Sequence, residues 1–515
     1  MLIIVPNDEV LITGAGPTGL VLALWLTHLG VKLRLIDKVA EPGTTSRALA
    51  VQASTLEFYQ QLKLAQTVIE RGHKVSALNL WVRGTKAATV PLQAMGQGLS
   101  SFAFALIFPQ DEHERLLIEQ LRALGVEVER GVELAGFVDN GREIRATLRK
   151  ADGSEEVCSF SYLAGCDGAR STTREVLNVG FPGGTYDHLF YVADVEAAGP
   201  PMNGELHVDL DDADFLAVFP LKGDGRARLV GSVRDDAAKD SENLKFEDVQ
   251  ERAIRNLKVE VTRVNWFSTY RVHHRVALAF RKGRAFLLGD AAHVHSPVGG
   301  QGMNTGIGDA INLAWKLASV LQDKSSAALL DSYEPERIEF AKRLVATTDR
   351  VFAAVINPGA LARFLRTQVV PRLMPRLFSL RLVRRFAFRT VSQLGVNYRG
   401  SELSCGSAGK VKGGDRLPWV ETSAGEDNFA PLTTLKWQVH VYGDPNGKIA
   451  ACCAERGLQL QRFPWQPACE QAGLMRDAAY LVRPDGYVAL ADPQASAEKL
   501  AHYFDRRTIH GAQHR

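Results

Sequence analysis

Val10-Leu-Ile-Thr-Gly14-Ala-Gly16-Pro17-Thr18-Gly19, continuing as Leu20-Val-Leu-Ala-Leu-Trp-Leu26, is the stretch from which the fold follows. The run from Val10 to Thr13 is short, apolar and rich in β-formers, the pattern of a strand buried in a parallel sheet. It passes directly into a G-x-G-x-x-G turn, and the apolar residues after Gly19 read as a helix ending near Gly30. Val31-Lys-Leu-Arg-Leu-Ile36 then reads as a second strand, finishing on Asp37. Each part serves dinucleotide binding. Gly14 permits the tight turn, Gly16 lets a pyrophosphate approach the backbone, and Gly19 lets helix and strand pack closely. The helix start at Pro17 and Thr18 offers N–H groups and a positive dipole end to phosphate. Asp37, about 20 residues downstream, can accept hydrogen bonds from ribose hydroxyls, with Lys38 beside it. Such a turn by itself does not distinguish FAD from NAD.

A second stretch supplies a partner: Ala285-Phe-Leu-Leu-Gly-Asp290-Ala-Ala-His-Val-His-Ser-Pro297-Val-Gly-Gly300-Gln301-Gly302-Met303-Asn304. Its first four residues read as a buried strand, and Asp290 sits just past the end, where α/β sheets bind ligands. The glycine-rich stretch 299–302 leaves backbone N–H groups bare. The helix that follows, 305–317, would point its N-terminus at the N1/C2 edge of a flavin, where negative charge gathers on reduction.

These residues, together with Thr45-Ser-Arg47, Phe108-Pro-Gln110 and Ala164-Gly-Cys-Asp167-Gly-Ala-Arg170-Ser171, resemble the group A flavoprotein monooxygenases. That is the aromatic-hydroxylase family of p-hydroxybenzoate and phenol hydroxylases. Within it the likeness is to the branch of 3-(3-hydroxyphenyl)propionate, pentachlorophenol and polyketide hydroxylases. The resemblance implies FAD as cofactor and NADPH or NADH as transient reductant. It also implies hydroxylation of a phenolic or polyketide-like aromatic by O2 through a C4a-hydroperoxyflavin. Baeyer–Villiger insertion or another oxidative tailoring step by the same flavin chemistry is the alternative. A halogenase is disfavoured by the absence of its W-x-W-x-I-P pattern. In the family the counterpart of Asp167 organises the pyrophosphate region, that of Arg47 lies along the FAD, and that of Gln110 sits near the cofactor. Pro297 and the backbone of 299–304 would flank the isoalloxazine. Ser54 departs from the pattern, since relatives often carry arginine there. A second G-x-G-x-x-G is absent, as expected where the nicotinamide visits without a domain of its own.

The implied architecture is α/β. A three-layer Rossmann-like FAD-binding domain is split in sequence, with a first part at 1–180 and a second at 279–403. A β-rich substrate domain is inserted at 181–278, and a thioredoxin-like domain follows at 415–515. Short apolar runs such as Leu189-Phe-Tyr-Val-Ala193 and Ala227-Arg-Leu-Val-Gly231 fit a mostly antiparallel inserted sheet. Tyr191, Phe219 and Tyr270 are lining candidates. Pro297, His273 and Tyr191 are the catalytic candidates, with no base for a phenol singled out. Asp111-x-x-Glu114 reads as a capping box opening a helix. Residues 351–400 hold nine arginines and no acid, an amphipathic segment expected to pack on the FAD domain. The Gly/Ser-rich stretch 404–414 reads as a linker. Cys452-Cys453 is adjacent and cannot form the usual redox pair, so packing or dimerisation is expected of the last domain.

Composition sets the outer bounds. A formal charge of +3 on 515 residues is nearly neutral and does not argue for nucleic acid, and no nucleic-acid partner is expected. Six cysteines with no C-x-x-C suggest neither a disulfide scaffold nor zinc. His293 and His295 lack a third ligand of supporting spacing, so no metal is expected. The acidic run from Asp209 to Asp214 lacks a calcium loop's central glycine and terminal glutamate, and reads as a solvated turn. No apolar run approaches the roughly 18 residues of a spanning helix. A cytoplasmic protein is expected, with membrane association disfavoured and a homodimer allowed.

Overall fold

The computed structural model describes residues 9–43, 48–93, 95–210, 216–233, 244–249, 251, 256–296, 298–357, 359–422 and 426–509. Val10–Thr13, buried at all four positions, lies inside a six-stranded sheet. It pairs in parallel with Leu33–Asp37 on one side and Tyr162–Gly165 on the other. Val128–Arg130 and Ala285–Leu287 extend the sheet in parallel, and Arg281–Lys282 ends one edge antiparallel. Strands from three distant stretches therefore share one sheet, as a domain split in sequence requires.

Helix Pro17–His28 begins with proline, whose missing N–H is one that a first turn leaves unused anyway. Leu20 through Leu26 are all buried. A helix apolar on every side must be enclosed, and this one packs against helices Gln110–Ala123 and Gly302–Leu321. An antiparallel meander, Val132–Asp139, Ile144–Lys150 and Glu155–Phe160, adds Leu134, Ile144 and Leu148 to the same core. The capping box expected at Asp111 does not form. Helix Gln110–Ala123 starts after Pro109 with no side-chain cap, and Asp111 pairs with Arg115 one turn on.

The second large sheet has eight strands, built round Gly183–Ala198 and Glu260–Val276. It reaches beyond the insertion. Hairpin Ala77–Val82 and Thr85–Pro91, from the first FAD-binding stretch, joins it by parallel pairing of Leu78 with Leu206. Pairing across more than a hundred residues leaves no local trace, so the hairpin's partner was not readable. The acidic turn expected at 209–214 falls largely on 211–215, outside the described residues, while Asp209 is buried and accepts from Asn256.

Helix Tyr333–Ile356 leads into Ala360–Phe364, Val370–Ser379 and Arg381–Val391. Val370–Ser379 packs on strand Thr85–Pro91, and Phe388 enters the FAD-binding core. The stretch 404–414 is not a linker. It forms strands Cys405–Ala408 and Val411–Lys412 at the edge of a third sheet, pairing Cys405 with Leu490. Its glycines serve close approach, since a Cβ on Gly406 would stand 2.3 Å from the Ala491 carbonyl oxygen. The remaining order in that sheet is 488–492, 479–482, 438–442, 459–463. Among the described residues no helix is long and apolar enough to cross a membrane.

Candidate functional site

The three glycines of the first turn behave differently. Gly14 has φ +98°, and a Cβ there would meet the Cys166 carbonyl oxygen at 2.3 Å. On Gly19 it would stand 2.0 Å from the Gly14 oxygen. On Gly16 it would meet nothing within 4 Å. The outer two are thus demanded by the fold, while the middle one faces open space. Gly16 is also the N-cap of helix Pro17–His28 and provides no side-chain cap, which leaves the first turn for a ligand.

Helix Gly302–Leu321 starts equally uncapped at Gln301. The two helix starts meet at Thr18, because a Cβ on Gly289 or on Gly306 would stand 2.6 or 2.3 Å from its hydroxyl. Two positive dipole ends and a glycine left open between strand and helix suit a pyrophosphate and an electron-rich ring edge. The residues present therefore fit FAD.

The 299–304 loop is held by Asn304, whose side chain is fully engaged inside the protein. Its Oδ1 accepts from the Gln52 N–H (2.9 Å) and the Thr55 hydroxyl (2.8 Å), and its Nδ2 donates to the Ala50 and Gly300 carbonyls (2.9 Å each). Asn304 shapes the loop, leaving backbone groups to meet a cofactor. Gln301 is buried and Met303 packs on the core, while Asp290 is exposed at the strand end. Behind the loop stands Asp309, which composition alone did not single out. It accepts from the Gly289 N–H (3.0 Å), His293 Nε2 (2.8 Å) and Arg337 Nε (2.5 Å). Burial would raise its carboxyl, but Arg337 and His293 hold it below the usual range. Arg337 also bonds the Thr305 carbonyl and the Tyr398 hydroxyl.

Next to Arg337 in the same helix, Glu336 ties the FAD-binding helices to the third sheet. It pairs with Lys316 (2.8 Å) and bidentately with Arg483 (2.8 and 3.0 Å), and accepts from Asn312 and Ser401. Burial opposes its charge, yet Arg483 and Lys316 overcome that and keep the carboxyl well below the carboxylate range.

At the far end of the turn Asp37 braces the loops. Its oxygens accept from the Ala15 N–H (2.7 Å) and Val39 N–H (2.8 Å), with Arg130 3.6 Å away. Lys38 is exposed beside it. Gln110 donates to Glu114 (2.8 Å), a carboxyl that burial pushes up to about 7 despite Gln110 and Arg130. Asp167 accepts from Ser171 and from the backbone and hydroxyl of Thr173, capping the short helix at 172–176. Arg174 then joins this motif to the flavin loop by donating to Ala169 and Ala291. Arg47 and Pro297 lie outside the described residues.

The eight-stranded sheet carries two of the catalytic candidates, Tyr191 and His273, on one face. Strand alternation puts Phe190, Tyr270 and Val272 on one face, and Phe219 and Ala50 both pack on the cluster of Leu49, Val75, Ile107 and Leu221. Ala50 is the residue a Cβ on Gly300 would strike, at 2.6 Å, so this face looks toward the flavin loop. Tyr191 lies on the opposite face, buried among Leu189, Val218, Leu229 and Phe246. His273 is also on that side, exposed and bonded to Thr185 (2.7 Å). His295 lies in the flavin loop stretch itself. Its Nδ1 donates to the Ser296 carbonyl (2.8 Å), so Nε2 is the lone-pair nitrogen; a Cβ on Gly302 would lie 3.7 Å from it. Among the described residues Nε2 is buried without a hydrogen-bond partner, and burial lowers the ring to about 4.

The comparisons with known proteins agree with this geometry. A family profile described as an FAD binding domain matches residues 7–348. The 6-methylpretetramide 4-monooxygenase of Streptomyces rimosus is 34% identical over 530 residues, 96% of this chain and 92% of that enzyme. Dialkyldecalin synthase of Streptomyces rugosporus is 29% identical over 96% of this chain and 97% of that protein. Among solved structures, the OxyS anhydrotetracycline hydroxylase from Streptomyces rimosus matches with a TM-score of 0.78 at 28% identity, covering 98% of this chain and 99% of that one. The likeness runs through every element of the flavin cradle and on into the third sheet, and the chain belongs to the FAD binding domain family of flavoprotein monooxygenases.

Proposed function

We propose that the protein hydroxylates an aromatic ring, phenolic or polyketide-like, using O2 and NAD(P)H. The observation that carries this reading is the aromatic sheet face on which Phe190, Phe219 and Tyr270 lie, with the buried Arg228–Asp194 pair among them. The names of the relatives, tetracycline-type hydroxylases among them, support the ring class. FAD, when bound, supplies the redox and oxygen-transfer chemistry. Gly14, Gly16, Pro17, Thr18 and Gly19 would hold its phosphates, Asp37 its ribose, and the backbone of 300–303 its ring edge. Phe219 and Tyr270 orient the substrate and exclude water from the ring. His295 Nε2, kept neutral by burial, accepts a hydrogen bond from the phenol hydroxyl and orients it, a role the ring can fill without taking the proton.

The test is a screen of phenols and fused aromatics for stimulated NAD(P)H oxidation, followed by product mass. One added oxygen is expected. Oxidation equal with and without every aromatic tried counts against the proposal. Baeyer–Villiger insertion is separated by the position of the oxygen. The end-to-end likeness to dialkyldecalin synthase favours one further reading, a synthase reaction on the same fold. Product formed without NAD(P)H or O2 would identify it.

The same proposal divides the chain into FAD-binding parts at 1–180 and 279–403, a substrate sheet at 181–278 and a thioredoxin-like unit at 415–515. The β-α-β then β-β-α order of that last unit supports the assignment. Six free thiols support a reducing, cytoplasmic setting. Exposed Leu361 (72%), Leu382 (82%) and Phe386 (73%) support a homodimer, which light scattering tests.

A further inference from the structure

Helix Arg381–Val391 carries Arg381, Arg384 and Arg385 at spacings that share one face. With Met95, Gln97 and Gly98 they line a cavity of about 340 Å³, a volume suited to a small-molecule fragment. No acid occurs between residues 351 and 400 to neutralise them. Burial, then Arg381 and Arg389, push the Arg385 guanidinium below its ordinary value, and among the described residues no carboxylate offsets them. Arg385 donates to the Gln97 carbonyl (3.0 Å), and Phe388 fills the space at Gly96, so helix and loop are fixed together. Gathered cations without a counterion repel one another, which an incoming anion relieves. A guanidinium fork suits phosphate in particular.

The cavity is also wired to the flavin loop. The Ser392 carbonyl accepts from the Ser54 N–H, and Gln393 donates to the Gln301 carbonyl (3.2 Å) and the Thr305 hydroxyl (2.8 Å). The six residues from Arg385 to the helix end at Val391 rise about 9 Å, with Gln393 two residues further on, within the span of a dinucleotide.

We propose that this arginine cavity binds the phosphate end of the reduced nicotinamide cofactor and selects the 2′-phosphate of NADPH over NADH. The inference rests on the reading that a nicotinamide reduces the flavin. It gives the visiting dinucleotide a place without a second glycine-turn domain.

The test is calorimetric titration of oxidised holoenzyme with NADP⁺, NAD⁺ and adenosine 2′,5′-bisphosphate. Wild-type protein is expected to bind NADP⁺ more tightly than NAD⁺. In Arg384→Gln/Arg385→Gln, NADP⁺ and the bisphosphate weaken by roughly ten- to hundredfold while NAD⁺ changes little. Flavin absorbance and melting temperature check the fold. Arg381→Gln, at an exposed position, gives a second variant with a smaller loss of the same selectivity. Unchanged NADP⁺ affinity in all variants overturns the proposal. So does a loss shared equally by NAD⁺, or one confined to an acidic aromatic substrate. Binding needs no turnover, so a failure to hydroxylate would not be mistaken for failure here.

Discussion

Gly16→Ala and Gly19→Ala should separate the cofactor from the fold at two positions three residues apart. At Gly19 the new Cβ would stand 2.0 Å from the Gly14 carbonyl oxygen and 3.3 Å from the Cys166 Cβ. The helix would have to retreat by about 1 Å from a turn it is packed on through seven consecutive buried residues, Leu20 to Leu26. Overpacking of this kind costs about 1–3 kcal/mol, a drop of a few degrees in apo-protein melting. At Gly16 the backbone is ordinary, φ −77° and ψ 179°, and nothing lies within 4 Å. Alanine there leaves the apo fold unchanged or slightly stabilised, by under about 1 kcal/mol. It enters the space a pyrophosphate needs, and the same 1–3 kcal/mol of crowding becomes roughly ten- to hundredfold weaker FAD binding. Scanning fluorimetry of apo-protein and quenching of FAD fluorescence read the two effects separately. The reasoning fails if Gly16→Ala melts as low as Gly19→Ala, or binds FAD like wild type.

Glu336→Gln leaves Arg483 and Lys316 buried beside a neutral group, and denaturant unfolding should lose about 3–5 kcal/mol; a loss below about 1 kcal/mol contradicts the network's role. Glu114 carries a folded value raised to about 7, so the folded state keeps a proton that the unfolded chain releases above its ordinary value near 4.5. Its contribution is therefore present at low pH and lost as pH rises from 4.5 to 7. Glu114→Gln should remove that slope, seen as a wild-type minus variant stability difference that changes only in this window. His295→Leu should keep FAD and fold but cut product formation about 10²-fold, with NADPH oxidation uncoupled to peroxide. Unchanged product per NADPH would remove His295 as the group that orients the phenol.

How much of this was legible depends on how local each signal is. The strand, turn and helix from Val10 to His28 were readable because period, glycine spacing and proline all act within a few residues. Strand Gln438–Tyr442, helix Gly447–Glu455 and strand Gln459–Phe463 were legible for the same reason. Which sheet face meets the flavin was not. Phe190 and Tyr191 differ by one position, and alternation assigns opposite faces without saying which is inside. Hairpin 77–91, the Asp309–Arg337 pair and the Glu336–Arg483 pair are long-range partners that no local pattern announces. The stretch 404–414 has a linker's composition, yet its glycines admit close backbone contact instead.

The most direct measurement is turnover of purified holoenzyme under ¹⁸O₂ with NADPH and an aromatic that stimulates its oxidation. The account predicts one ¹⁸O atom on a ring carbon of the product and NADPH consumed only when that aromatic is present. A product lacking ¹⁸O, or formed equally without O2 and NADPH, would contradict it.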